Sequence, residues 1–148
     1  IQWHVVGMFA PSFFTGHLIS RFGLIKIMLT GAILLLLAVA SALHGIMILN
    51  FMVSMFFLGM GWNFLFVGDS TLLTEVHTPS ERGKTQAAHD FMVFATTALG
   101  SFLSGQLLFN FGRERVNLMA LPLIITVTLL VIWFGFIQRA EDTAAPTV

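Results

Sequence analysis

The sequence predicts an all-α fold, a polytopic transmembrane helix bundle of five helices, and three observations carry that prediction. No Asp, Glu, Lys or Arg occurs in residues 1–20, 27–68, 91–112 or 116–138. A run of about 20 apolar residues rising about 1.5 Å each crosses a hydrocarbon core of about 30 Å. Of the 148 residues, 57% are hydrophobic and 9% charged, whereas a soluble domain carries about 25% charged residues. Mean hydropathy is +0.91. The cations fall in short segments between the runs, and mainly between alternate ones.

The first helix is placed at roughly 3–20 and carries Pro11, Ser12 and Thr15 together. Pro11 lacks an N–H and kinks a helix, and nearby hydroxyls can compensate the freed carbonyl. Ser12 and Thr15 are therefore candidates for a substrate-pathway face, and a purely architectural kink is the competing reading. The second helix spans roughly 24–43. The run at 27–68 is long enough for two crossings, with its polar break at Leu43-His44-Gly45-Ile46, where a tight turn fits.

The third helix, roughly 46–74, is the richest in polar residues. Asn63 shares a helical stripe with Gly59, Ser70 and Thr74, so it faces the bundle interior or a pathway. An interhelical hydrogen bond and a substrate contact both satisfy that placement. Trp62 sits mid-helix, where a neighbouring helix or a cavity suits it better than lipid. Asp69 lies one to two turns from the helix end, and His89-Asp90 opens the fourth helix, roughly 88–109. A carboxylate and an imidazole beside a membrane pathway are the groups that proton coupling requires. Near the interface they can equally be solvated charges, and an acid at a helix start is an ordinary dipole partner.

On the fourth helix Thr97, Ser101, Ser104 and Gly105 form one stripe, and Gly100 with Ser104 makes a small-x-x-x-small pattern that favours packing. The Arg113-Glu114-Arg115 loop leads to the fifth helix, roughly 117–138. The transmembrane bundle thus covers 1–138 and a polar tail 139–148. Trp3 and Trp133 suit interfacial anchoring.

Lys and Arg are retained in the cytoplasm during insertion. Arg21, Lys26, Arg82, Lys84 and Arg139 share one side, which puts the C-terminus in the cytoplasm. A net charge of zero gives no footing for a nucleic-acid partner. With no Cys, disulfides, thiolate metal sites and thiol catalysis are all removed. The five histidines are scattered, no metal-binding pair or phosphate-cradling loop is present, and no cofactor is implied. An intramembrane enzyme is therefore disfavoured. The start at Ile1-Gln2-Trp3-His4 lacks a Met and reads as a fragment that begins inside a helix, while the polar tail reads as a natural end.

Two loops carry a resemblance. Gly16-His17-Leu18-Ile19-Ser20-Arg21-Phe22-Gly23-Leu24-Ile25-Lys26 places Gly16 and Gly23 where the chain must turn and helix ends approach, with Arg21 between them. It resembles the major facilitator superfamily signature Gly-x-Leu-x-Asp-Arg-x-Gly-Arg-Lys, with Ser20 in place of the Asp and Leu24-Ile25 in place of the Arg-Lys pair. That degeneracy suits the copy between helices eight and nine. The second loop, Thr74-Glu75-Val76-His77-Thr78-Pro79-Ser80-Glu81-Arg82-Gly83-Lys84, resembles the one between helices ten and eleven. The segment from Gly61 to Phe91 looks like a bacterial subgroup.

The resemblance covers essentially the whole chain and implies helices eight to twelve, the C-terminal half, of a twelve-helix secondary transporter in a bacterial inner membrane. It implies a small solute moved by alternating access between this half and a missing N-terminal half of the same protein, with protons as an optional coupling ion. Arg21, Glu75, Arg82 and Gly83 would then belong to a cytoplasmic gate built on the loop motif of Gly16 and Gly23, against the alternative of solvated loop charges worth about 0–1 kcal/mol per pair. Placement as helices two to six is the competing topology. A non-transporting receptor or sensor on the same scaffold is the competing function.

Overall fold

The structure, a computed structural model, describes residues 2–45, 47–76 and 81–144, with the side chains of 75–76 and 139–144 left aside. Its elements are α1 (Gln2–Phe9), α2 (Ser12–Phe22), α3 (Leu24–His44), α4 (Ile48–Val76) and α5 (Arg82–Ala144), with no strand among the described residues. Residues 24–44, 48–74 and 82–138 are long and apolar enough to cross a membrane.

The first expected helix is two segments. The chain turns at Ala10 and Pro11, and helix resumes with Phe14 and Thr15 donating their N–H groups to the Pro11 carbonyl at 2.9 Å. Proline offers no N–H to the carbonyl four residues before it, so α1 ends there and α2 sets off from the proline. Gly23, at φ 90°, then reverses the chain into α3, a conformation that side chains larger than hydrogen rarely adopt. Gly16 performs neither role expected of it, because it lies within α2 and its α-carbon faces open space.

The charged segment 113–115 is not a loop. Helical backbone runs through it, and the reversal happens at Gly112 alone, with φ 76° and ψ 169°. One glycine in the left-handed region folds α5 into two arms, 82–111 and 113–144. The helix also continues to Ala144, beyond the expected end at 138.

α4 is the hub, packed against α1, α2, α3 and α5. In lipid the surroundings are as apolar as the side chains, so close van der Waals approach replaces hydrophobic burial as the packing force. Two glycine crossings provide it. A methyl group on Gly7 would stand 2.6 Å from the Phe56 carbonyl, and one on Gly59 would overlap the His4 carbonyl. A methyl group on Gly61 would lie 2.8 Å from the Gly31 carbonyl. The backbones of α1 and α3 therefore both touch α4 directly beside Trp62 and Asn63.

The opposite extreme is the 82–111 arm, whose Phe91, Phe94, Phe102 and Phe109 side chains are exposed. Two glycines of its small-residue face, Gly100 and Gly105, would meet no neighbour within 4 Å of an added methyl group among the described residues. Trp62 is part-buried in the bundle rather than fully exposed.

Candidate functional site

Two polar clusters are built on α4. The first surrounds Asn63, 2% exposed, against the break between α1 and α2. Its carboxamide nitrogen donates to the Met8 carbonyl and to Ser12 Oγ, both at 2.6 Å. Its oxygen faces the Thr15 hydroxyl at 2.7 Å, which also lies 2.8 Å from the Pro11 carbonyl. Both amide hydrogens are used. A proline break frees backbone carbonyls, and a carboxamide from a neighbouring helix fills the gap. Ser12, Thr15 and Asn63, singled out separately by the sequence, thus form one contact. Ser70, on the same stripe, has a buried hydroxyl with no partner among the described residues.

The second cluster joins α4 to the first arm of α5. His89 Nε2 lies 2.6 Å from Asp69 Oδ2, and His89 Nδ1 lies 3.3 Å from Asp90 Oδ1. Gln86 Nε2 donates to Asp90 Oδ1 at 2.9 Å. The imidazole is 14% exposed and the Asp69 side chain 50%. A ring with two nitrogens between two carboxylates can accept, hold or pass a proton. Among the described residues no third helix contributes a charge to the cavities at this cluster, whose α3 wall is Met28.

Asp69 also borders two adjoining cavities of about 320 and about 450 Å³, which share it and Val93 as a wall. Sites for small ligands run about 300–1,000 Å³. Trp62 and Phe66 line the first cavity, stacked with ring centroids 4.6 Å apart and planes 11° apart. Phe66 is 6.5 Å from the His89 ring, so aromatic slab and ionisable pair are continuous. His89 completes Asp69 across 20 positions of sequence, a pairing that helical spacing does not reveal. Among the described residues no group of three His, Cys, Asp or Glu could hold a metal ion.

The loop-motif residues are less assembled. Arg21 is exposed, with its guanidinium 5.5 Å from the centre of the Phe22 ring. Arg82 and Gly83 are exposed at the start of α5. The Glu75 side chain, on which the expected charge cluster with Arg21 and Arg82 depends, lies outside the described residues, as do residues 77–80 of that loop. At the other end of the bundle Arg113 donates to the Ala42 and Gly45 carbonyls at 3.1 and 3.2 Å, closing the C-terminus of α3 with a cation. Nothing in the spacing of the sequence signals that contact.

Comparison with known proteins agrees with these features. The chain is 48% identical over 127 residues to a riboflavin transporter, RfnT, of Brucella anthropi, covering 86% of this chain and 32% of that protein. It is 30% identical over 147 residues to YddS of Bacillus subtilis, an uncharacterized MFS-type transporter, covering 97% of this chain and 33% of that protein. It is 27% identical over 135 residues to YdeG of the same organism, also an uncharacterized MFS-type transporter, covering 90% and 31%. The chain spans about a third of the length of these curated relatives. No solved structure gives a significant match. The family model described as Major Facilitator Superfamily matches residues 3–147. A bundle of apolar, membrane-length helices matched over nearly its whole length in this way belongs to the Major Facilitator Superfamily.

Proposed function

We propose that the protein of which this chain forms part is a secondary active transporter of riboflavin or a close flavin relative, driven by protons and working by alternating access. The observation that carries the reading is the Asp69–His89 pair at 2.6 Å, on two different helices and beside cavities of ligand size. A proton held between groups on α4 and α5 ties protonation to the relative position of the helices, which is what coupling needs. The flavin comes from the relative named as a riboflavin transporter. The aromatic slab of Trp62 and Phe66 supports it, since flat rings stack on aromatic faces.

In this reading the chain supplies helices eight to twelve, its second end at 139–148 is cytoplasmic, and Arg21, Glu75, Arg82 and Gly83 gate the cytoplasmic side. Ser12, Thr15 and Asn63 act as a structural lock at the Pro11 break rather than touching solute, because their hydrogen-bonding groups are spent on one another and on the backbone. The full-length protein reconstituted in vesicles tests the proposal. Riboflavin uptake driven by an imposed pH gradient, together with counterflow in its absence, is the expected result. Saturable binding with no flux would replace the transporter with a receptor.

A further inference from the structure

We infer that the two cavities at Asp69 form one bipartite ligand site: an aromatic compartment for a flat fused heteroaromatic ring, and a polar compartment for an uncharged polyhydroxylated chain attached to it. The inference rests on the flavin reading above and adds where and how such a solute is held.

The first compartment, about 320 Å³, is walled by Trp62 and Phe66 with Met28, Leu65 and Val127. Two stacked aromatic rings offer a polarisable face, and a thioether packs well against a ring. Apart from Asp69 at its border, these side chains offer little hydrogen bonding beyond the indole N–H, so the compartment suits a ring rather than a sugar. The second, about 450 Å³, is lined by Asp69, His89, Met92, Thr96 and Thr97. The Thr97 hydroxyl donates to the Val93 carbonyl at 2.7 Å, which leaves its oxygen free to accept. A carboxylate accepts and threonine hydroxyls do both, while the imidazole, engaged by Asp69 and Asp90, holds the carboxylate in place. That mixture matches a row of hydroxyls, each of which donates and accepts.

Charge narrows the occupant further. Asp69 lines both compartments and Asp90 stands behind His89, while among the described residues no Lys or Arg lines either. A phosphate ester on the chain would meet two carboxylates and, as the one group able to carry positive charge among the described lining residues, an imidazole already engaged by both of them, so the compartment favours the free polyol. The polyol also competes for the Asp69 carboxylate that His89 holds, which places solute and proton on the same group.

Binding to the purified full-length protein tests this with three probes: riboflavin, lumichrome as the ring without the polyol, and flavin mononucleotide as the phosphorylated form. Riboflavin should bind best, with lumichrome weaker and the phosphorylated form weakest. Trp62→Leu should weaken riboflavin and lumichrome alike by about three- to ten-fold, the equivalent of one aromatic pair. Trp62→Phe should recover most of that loss. Thr97→Val should weaken riboflavin more than lumichrome. Flavin mononucleotide binding as tightly as riboflavin, or unchanged affinity of both other probes in Trp62→Leu, overturns the site while leaving flavin transport intact. Wild-type protein that binds no flavin overturns the substrate reading and this inference with it. If Trp62→Leu fails to fold, the wild-type order of the three probes decides.

Discussion

Asn63 and Asp69 stand on the same helix, less than two turns apart, and have opposite surroundings. Asn63 is 2% exposed, with both amide hydrogens donated and its oxygen facing a hydroxyl. Asp69 is half exposed, shares His89 with Asp90 and borders two cavities. A buried polar group with all its partners present fixes a structure, and any change of state must break several hydrogen bonds at once. A partly open, ionisable cluster can change partners at low cost. One helix thus carries a lock and a switch, and Gly59, where the α1 backbone closes on α4, lies about one turn from Asn63.

The comparison is broken most severely at the glycines. Gly59→Val should prevent α1 from reaching α4, since even a methyl group overlaps the His4 carbonyl. Overpacking of this kind costs about 1–3 kcal/mol or more, so folded protein in detergent should fall sharply, as read by size-exclusion chromatography. Wild-type yield and melting temperature would show that α1 has no fixed seat on α4.

Asn63→Leu should act almost as strongly. It removes three hydrogen bonds, at the Met8 carbonyl, Ser12 Oγ and Thr15 Oγ1, each contributing about 0.5–1.5 kcal/mol, although the Ser12 and Thr15 hydroxyls keep the Met8 and Pro11 carbonyls as partners. Thermal unfolding of the full-length protein should shift down clearly, while the affinity of the remaining folded molecules for solute stays near wild type. A loss of affinity with unchanged melting would move Asn63 from lock to ligand.

Asp69→Asn should do the reverse. Melting stays close to wild type because the side chain is half exposed, whereas gradient-driven uptake is lost. Arg113→Ala should give the smallest effect, a slight fall in melting temperature, because an exposed cation at a helix end contributes only about 0.3–1 kcal/mol. A fall as large as that of Asn63→Leu would make the α3–α5 contact a third anchor of the bundle.

The crossings were legible because an uncharged run of membrane length fits little besides a membrane span. The α3 and α4 ends agree with the sequence expectation to within two residues. Reversal at Gly112 was not legible, since Arg113, Glu114 and Arg115 read as a loop although the backbone there is helical. Helical conformation tolerates charges at a membrane surface, so charge marks the boundary of the membrane and not the end of the helix. Asn63, Ser12 and Thr15 were each visible as polar residues in an apolar setting. Their meeting was not, because periodicity relates residues on one helix and says nothing of which helices touch. The same limit hid His89 as the partner of Asp69. The Gly100 and Ser104 stripe was recognisable as a packing pattern, yet Gly100 meets no neighbour among the described residues. Small side chains permit a close approach without specifying the helix that makes it.

Gradient-driven riboflavin uptake per folded molecule, measured side by side in Asp69→Asn and Asn63→Leu of the full-length protein, tests the division of α4 most directly. The account predicts that Asp69→Asn loses uptake under a pH gradient while keeping thermal stability and a weakened counterflow, since an amide still hydrogen-bonds a hydroxyl, and that Asn63→Leu loses stability while keeping uptake. Gradient-driven uptake that survives in Asp69→Asn and disappears in stable, folded Asn63→Leu would contradict it.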